Sequence, residues 1–327
     1  MPAPSPAPER VLSRGERYRT RPVGEGAAVQ LVAVQLRFLD GGHGGPPHCN
    51  RRLVDGRFAR LDGGRVNLEH YWNSIFLSWW RRGLLNIAHR GASGTFPENT
   101  LSAFRAAIDA GADMCELDVQ LTRDGAVVVI HDDTVERTTD GTGVVAKLTL
   151  EEIKRLDAGV KFKNLTPNPF PSGKGDRIVE RVPTLDEVFD VTGGKCGLNI
   201  ELKAGGVENQ VAQIMQARNA FGDSIVSSFD WDYLKKIQQL HFNIRVGLLA
   251  EEKPVDLMMN AVAMRAHSIN PRWDMVTPDL CKAAHERGLM VYTWTVDADA
   301  RMRALIECGV DGIMTNYPER LRTVQGG

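Results

Sequence analysis

Short apolar runs alternate with helical patterns along the chain from residue 85 onward. The runs are short enough for buried strands, and a helical stretch separates most of them, as in 100–110 between the first two. Repeated strand and helix units predict a parallel sheet covered by helices. The candidate strands are residues 86–89, 114–119, 127–130, 198–202, 225–228, 246–249, 268–270, 290–294 and 312–314.

The number of these units indicates the fold class. A stretch of about 240 residues built in this way suits an α/β fold of the (β/α)8 TIM-barrel type. A doubly wound open sheet is the alternative. Since a barrel of this type needs eight strands, we expect one of the candidate strands to lie outside it, and the pattern does not tell which one. The broken stretch 160–182 reads as a long loop beside the site.

Residues 1–84 differ in composition from the rest of the chain. They contain thirteen arginines, seven acidic residues and no lysine, with a Pro- and Ala-rich start and a Gly/Pro cluster at 41–47. One loosely alternating stretch, 28–38, is typical of a strand, which cannot form a stable core alone. We therefore expect an irregular, partly disordered N-terminal extension over 1–84 and a barrel over 85–327.

The segment 71–82 is rich in aromatic residues and ends in two arginines. Trp72, Ile75, Phe76 and Trp79 recur at helical spacing, which predicts a short amphipathic helix. Such a helix either closes one end of the barrel or lies on a lipid surface, where aromatic and arginine side chains are favourable. The second interpretation implies a peripheral membrane contact through 71–82.

Charge and cysteine content exclude several classes of protein. The net charge is −1, which leaves no overall positive field for binding nucleic acid. The five cysteines are widely spaced and form no CxxC pair, so a disulfide framework or a zinc ribbon is not expected. The chain has neither an apolar run long enough to span a membrane nor the apolar core of a secretory signal. We expect a cytoplasmic protein, with the membrane surface as the alternative.

Polar residues cluster where predicted strands end, which is where barrel enzymes place their active sites. Three carboxylates on apolar strands are costly to bury without a counter-ion, which favours one divalent cation bound by oxygen ligands. Mg²⁺ or Ca²⁺ is favoured over zinc because no cysteine lies beside the acids. Histidines suit acid and base roles, and the two cations suit an anionic phosphoryl group. These residues are His89, Arg90, Glu116, Asp118, His131, Asp132, Glu201 and Lys203.

Several of these residues fall in motifs that occur together in one family. The chain resembles the glycerophosphodiester phosphodiesterases over residues 85–320, and it does so through many short blocks in the same order. The resemblance implies a TIM-type barrel that hydrolyses glycerophosphodiesters, such as glycerophosphocholine, to glycerol 3-phosphate and an alcohol. The blocks include His89-Arg90-Gly91, Pro97-Glu98-Asn99-Thr100, Glu116-Leu117-Asp118-Val119, Val129-Ile130-His131-Asp132, Arg137-Thr138-Thr139, Asn199-Ile200-Glu201-Leu202-Lys203 and Met314-Thr315-Asn316.

The resemblance also implies roles for individual residues. It assigns Glu116, Asp118 and Glu201 as ligands of a divalent cation, Mg²⁺ or Ca²⁺. It assigns His89 and His131 as the catalytic pair, with His89 as base and His131 as acid.

Further residues are predicted to bind the substrate or to support the site. Arg90 and Lys203 are expected to bind the phosphate. Glu98 and Asn99 are expected to orient His89 or the metal ligands. Phe229 and Trp294 form either an apolar wall against the substrate or ordinary packing at the barrel mouth.

Three other functions remain open at this point. The aromatic segment 71–82 favours a lysophospholipase D that acts on lysophospholipids. An inactive phosphodiester-binding module is less consistent with a complete set of polar groups. A barrel acting on phosphosugars is disfavoured because 295–299 is acidic and lacks the glycine-rich phosphate loop of such barrels.

Overall fold

The computed structural model describes residues 58–61, 64–67, 83–162, 179–252 and 256–326. The predicted strand at 28–38, the aromatic segment 71–82 and most of the loop within 160–182 lie outside these ranges. Strand β1 (Phe58–Leu61) pairs with β2 (Gly64–Asn67) in an antiparallel hairpin. The predicted division of the chain at residue 84 stays a prediction.

Eight parallel strands close into a barrel. Each strand pairs with the next around the ring, and β11 completes the closure on β3, with Gly312 opposite Leu85. The predicted (β/α)8 fold is therefore confirmed, and the open sheet is excluded. The strands are β3 (Leu85–His89), β4 (Met114–Leu121), β6 (Gly197–Leu202), β7 (Ser224–Ser228), β8 (Arg245–Ala250), β9 (Ser268–Pro271), β10 (Met290–Thr293) and β11 (Gly312–Thr315).

One candidate strand lies outside the barrel. Strand β5 (Val127–Val129) pairs antiparallel with β4, so the third strand of the sequence-predicted series does not belong to the parallel ring. The tight turn after β4 explains this, because the amide of Ala126 donates a hydrogen bond to Thr122 Oγ1 and reverses the chain. So short a connection cannot cross over to a parallel strand.

Helices join the barrel strands and bury one face each against them. The predicted helix at 100–110 is α1 (Leu101–Asp109), which begins after Thr100, whose hydroxyl accepts a hydrogen bond from the amide of Ala103. The other helices are α2 (Leu150–Arg155), α3 (Leu185–Thr192), α4 (Glu208–Ala217), α5 (Trp231–Leu240), α6 (Leu257–Ala263), α7 (Pro278–His285), α8 (Asp299–Cys308) and α9 (Pro318–Gly326). None of the described helices is long and apolar enough to cross a membrane.

The barrel interior is apolar toward the amino ends of the strands. Tyr292 is 1% exposed and packs with Ile87, Met114 and Met314 in a cluster of interior residues. Gly312 leaves room for the Tyr292 ring, since a Cβ atom there would lie 2.7 Å from it. This packing closes the lower part of the barrel, so the polar residues at the carboxyl ends line a cavity with a floor.

Candidate active site

A cavity of about 120 Å³ opens at the carboxyl ends of the barrel strands. It is lined by most of the predicted site residues, which the fold brings together from strands far apart in sequence. Three predicted residues, Glu98, Asn99 and Asp118, are not among its lining residues. The lining residues are His89, Arg90, Glu116, His131, Asn199, Glu201, Lys203, Ser227, Phe229, Leu249, Trp294, Thr295 and Met314.

Three carboxylates from two neighbouring strands converge beside the cavity. Glu116, Asp118 and Glu201 each offer an oxygen within 4.8 Å of the others, and all three are buried. Strands β4 and β6 place Asp118 directly opposite Glu201. Burial and the neighbouring carboxylates raise the pKa of Glu116 well above its ordinary value, and burial and Asp118 raise the pKa of Glu201 to about 7.

The donor set fits a hard divalent cation. Asp118 Oδ1 is buried and accepts no hydrogen bond from the described residues, although Lys203 Nζ lies 3.7 Å away. An unpaired carboxylate oxygen in such a place is costly unless a cation binds it. Three buried oxygen donors without a nearby cysteine are the type of ligand that Mg²⁺ and Ca²⁺ prefer.

Arg90 and Asn99 hold two of the carboxylates in place. The amide of Arg90 donates to Glu116 Oε2 at 2.9 Å, and its guanidinium Nε lies 3.3 Å from Asp118 Oδ2. Asn99 Nδ2 donates to the same Asp118 oxygen at 2.9 Å. Both residues adopt a positive φ of 56°, which aims their backbone and side chains at the cluster. The predicted supporting role of Asn99 therefore has a direct contact behind it.

His89 is held by a chain of hydrogen bonds from the far side of the barrel. Its Nδ1 lies 2.8 Å from Asn316 Oδ1, and Asn316 Nδ2 donates to Asp297 Oδ2 at 2.7 Å. The hydroxyl of Ser93 lies 2.8 Å from the same Asn316 oxygen. His89 Nε2 is 3.9 Å from Glu116 Oε2. Burial and the charge of Arg90 lower the pKa of His89 to about 4, so the imidazole is neutral near pH 7.

His131 lies just beyond β5, between an acid and a cation. Its Nδ1 is 2.6 Å from Asp132 Oδ1, and its Nε2 is 3.2 Å from Lys203 Nζ. Lys203 also donates to Glu201 Oε1 at 2.7 Å. The carboxamide of Gln120 donates to the carbonyl of His131 at 3.1 Å and fixes the backbone. His131 reaches the cavity although its strand is not part of the barrel.

Arg137 joins two acids beneath this histidine. Its guanidinium donates twice to the carboxylate of Glu98, both times at 2.8 Å, and its Nε donates to Asp132 Oδ2 at 2.6 Å. Glu98 also accepts a hydrogen bond from Arg90 at 2.8 Å. Burial acts to raise the pKa of Glu98, but hydrogen bonds from Arg137 and the charge of Arg90 lower it to about 2. The hydrogen bond from Arg137 lowers the pKa of Asp132 to about 2 as well.

Two aromatic rings stand at the cavity mouth. Phe229 and Trp294 meet edge to face, with ring centroids 5.4 Å apart and an interplanar angle of 87°. The Phe229 side is open, since this residue is 42% exposed. The indole of Trp294 donates to the carbonyl of Asn270 at 2.8 Å, which fixes the ring. Both predicted aromatic residues thus face the same opening.

The sequence analysis assigned no role to several residues that the structure places at the site. Asn316 and Arg137 belong to the quoted motifs, and Asn316 directly follows β11, so the strand-end rule that selected His89 also applies to it. Asp297 carries no comparable signal, because its contact with Asn316 depends on how two loops meet. Asn199 and Ser227 lie within strands and look like ordinary strand residues.

Comparison with known proteins supports one family. The model of the glycerophosphoryl diester phosphodiesterase family matches residues 89–320. A glycerophosphodiester phosphodiesterase of Caldanaerobacter subterraneus subsp. tengcongensis is 42% identical over 244 residues, which cover 72% of this chain and 96% of the relative. A glycerophosphodiester phosphodiesterase of Bacillus subtilis is 34% identical over 258 residues, covering 75% of this chain and 87% of the relative.

Solved structures give the same result. A phosphodiesterase of Oleispira antarctica, in complex with the product sn-glycerol-3-phosphate, matches with a TM-score of 0.65 and 26% identity over 76% of this chain and 99% of its own. A glycerophosphodiester phosphodiesterase of Agrobacterium tumefaciens matches with a TM-score of 0.63 and 29% identity over 72% of this chain and 98% of its own. The resemblance seen in the motifs is confirmed, and the chain belongs to the glycerophosphoryl diester phosphodiesterase family.

Proposed function

We propose that this phosphodiesterase hydrolyses glycerophosphodiesters such as glycerophosphocholine and glycerophosphoethanolamine, and that it needs a divalent cation to do so. The products are glycerol 3-phosphate and an alcohol. The observation that carries the proposal is the buried cluster of Glu116, Asp118 and Glu201, flanked on the cavity wall by His89 and His131. Acidic, basic and imidazole groups of this kind meet the needs of phosphodiester hydrolysis.

The three carboxylates would hold the cation, Mg²⁺ or Ca²⁺. When bound, the cation supplies Lewis-acid chemistry that draws charge from a phosphate oxygen. Lys203, which lies 2.7 Å from Glu201 Oε1, binds the anionic phosphate and balances the acids. Arg90 contributes a second positive charge at the cavity wall, where Glu98 holds its guanidinium.

The two histidines would move the protons. His89 acts as the base, because its Nδ1 faces Asn316 and leaves Nε2 with a free lone pair toward the cavity. It removes the proton of the attacking hydroxyl as the new P–O bond forms. His131 acts as the acid and gives a proton from Nε2 to the leaving alkoxide as the old P–O bond breaks. Asp132 at Nδ1 stabilises the protonated ring.

The first experiment measures glycerol 3-phosphate release from glycerophosphocholine and glycerophosphoethanolamine with Mg²⁺, with Ca²⁺ and with EDTA. We expect release that EDTA abolishes and a divalent ion restores. Glu201→Gln is expected to raise the apparent Kd for the ion about 10-fold or more, measured by calorimetry independently of turnover. The exposed acid Asp232, paired with Lys235 on the surface, provides the control variant Asp232→Asn. Release that is unchanged in EDTA would contradict the metal requirement.

Activity on lysophospholipids is the second candidate to test. The observation that favours it is the exposed ring of Phe229 beside Trp294, an apolar surface at the cavity mouth. Lysophosphatidylcholine is therefore assayed beside glycerophosphocholine. Turnover of the lysolipid alone would move the proposal to a lysophospholipase D. Membrane contact through 71–82 stays a prediction, and vesicle sedimentation of the chain with and without residues 1–84 tests it.

A further inference from the structure

Two buried polar side chains in the catalytic cavity have no use in the scheme above. Asn199 is 2% exposed and Ser227 is 0% exposed, yet both line the cavity. Asn199 Oδ1 and Ser227 Oγ form no hydrogen bond with any described residue. The amide nitrogen of Asn199 makes only a long contact, 4.0 Å, with Met314 Sδ. Buried polar atoms without partners are rare in folded proteins, and they are expected to bind something.

The strand register places these two side chains beside the carboxylate cluster. Asn199 lies opposite Glu116 across β4 and β6, and Ser227 lies opposite Glu201 across β6 and β7. Asn199 is also two residues before Glu201 on the same face of β6, one layer deeper in the barrel. The unpaired atoms therefore lie on the floor and inner wall of the cavity, below the level at which Lys203 meets the phosphate.

The chemistry of these atoms favours a neutral hydroxyl group. An amide oxygen is only an acceptor and repels phosphate oxygens, whereas a serine hydroxyl both donates and accepts. An alcohol can donate to Asn199 Oδ1 and accept from Ser227 Oγ at the same time. The cavity volume of about 120 Å³ equals roughly four water molecules, so a small polyol fits where a large headgroup does not.

We propose that Asn199 and Ser227 form a subsite for a hydroxyl of the glycerol moiety, so that glycerol enters first and the alcohol headgroup points to the mouth. The proposal rests on the proposed function and adds the direction of binding. The enzyme then selects its substrates at the glycerol end. The headgroup faces Phe229 and the solvent, where discrimination is weak.

The test compares two esters that differ only in hydroxyl groups. One is the p-nitrophenyl diester of glycerol phosphate and the other is the p-nitrophenyl diester of propyl phosphate, and both are followed by p-nitrophenol release. For the unchanged enzyme we expect kcat/KM to be about 10- to 100-fold higher for the glycerol ester, because the deoxy ester leaves the buried polar groups unpaired. Esters of 1,2-propanediol and 1,3-propanediol phosphate identify which hydroxyl is bound.

Variants of the two side chains complete the test. Asn199→Leu and Ser227→Ala are each expected to reduce the ratio of the two kcat/KM values toward one. Ser224→Ala is the control, because Ser224 is a buried serine on the same strand that does not line the cavity, and its ratio should match that of the unchanged enzyme. Thermal melting verifies that each variant is folded.

Two results would overturn the subsite. One is a ratio near one in the unchanged enzyme, which would mean that the floor binds only water. The other is an equal loss on both esters in the variants, which would give Asn199 and Ser227 a structural role alone. Failure of the proposed function itself is seen separately, as the absence of glycerol 3-phosphate release from the natural diesters.

Discussion

Asn316 Oδ1 lies 2.8 Å from His89 Nδ1, and this contact determines which nitrogen of the histidine faces the cavity. Asp297 accepts a hydrogen bond from Asn316 Nδ2 and another from the Asn316 amide, so the carboxamide cannot turn its oxygen away. The proton of a neutral His89 therefore resides on Nδ1. Nε2 keeps its lone pair, as a base requires.

Removal of Asn316 should misorient this histidine. We expect Asn316→Ala to lower kcat about 10- to 100-fold with little change in KM, since the phosphate-binding residues are untouched. Asp297→Ala should have a similar effect, and the double variant should be little worse than either single one, because both act through the same ring. Asn243→Ala, at an exposed position, is the control. Additive losses in kcat would contradict the relay.

The acid role of His131 predicts a dependence on the leaving group. His131→Ala should reduce turnover of glycerophosphocholine by roughly 10²- to 10⁴-fold. The loss should be much smaller for a p-nitrophenyl ester, because p-nitrophenolate leaves without a proton. Steady-state rates on both substrates provide the comparison. Equal losses would remove His131 from the acid role.

The glycine of the His89-Arg90-Gly91 motif should be intolerant of any side chain. Gly91 has φ +79°, and a Cβ atom there would lie 2.7 Å from the carbonyl carbon and Cβ of Ala103. Gly288 has a similar φ of +74° but no described atom within 4 Å of such a Cβ, so Gly288→Ala measures the backbone strain alone.

Urea unfolding separates the two effects. Gly288→Ala should lower the free energy of unfolding by about 1–2 kcal/mol. Gly91→Ala should lower it by roughly 1–3 kcal/mol more, because the helix that begins after Thr100 must shift. If the two variants are equally stable, the contact with Ala103 has no energetic weight.

His267 should make the fold sensitive to acid. Burial, followed by the charge of Arg245, lowers the pKa of His267 from 6.5 to about 3, and its Nε2 lies 3.0 Å from the hydroxyl of Tyr292. Between these pH values the unfolded chain binds a proton that the folded protein does not. The free energy of unfolding therefore falls as the pH drops below 6.5, by at most about 1.4 kcal/mol per pH unit for this group.

The variant His267→Gln isolates this contribution, because every other titrating group is retained. Urea unfolding is measured for both proteins at pH 7, 6 and 5. The difference in stability between the unchanged protein and the variant should shift in favour of the variant as the pH falls. Parallel pH curves would show that His267 is protonated equally in the folded and unfolded states.

The barrel itself follows from local patterns in the sequence. Strands β3, β4 and β6 are short apolar runs, and their period of two residues places Glu116 and Asp118 on one face. Position relative to a strand end then identifies His89 and Lys203 as residues of one rim. Each of these inferences needs only a few neighbouring residues, which explains why the sequence contains them.

Contacts between distant loops are not encoded in this way. Asn316 meets His89 across 227 positions of the chain, and Asp297 reaches Asn316 only because the loops after β10 and β11 adjoin. Strand β5 has the same apolar pattern as a barrel strand, and only the hydrogen bonds of its turn reverse its direction. Periodicity shows that a residue lies in a strand, but the packing decides which partner the strand takes.

The antiparallel course of β5 divides the two histidines between separate mechanical supports. His89 ends a strand of the closed ring, so its distance from Glu116 is set by the ring geometry. His131 is carried by a hairpin on the rim and is anchored there by Gln120. Changes in hairpin length thus alter the gap between the imidazoles while the carboxylates stay in register. Reach across the phosphodiester and the grip on the cation are two independently adjustable dimensions of this barrel.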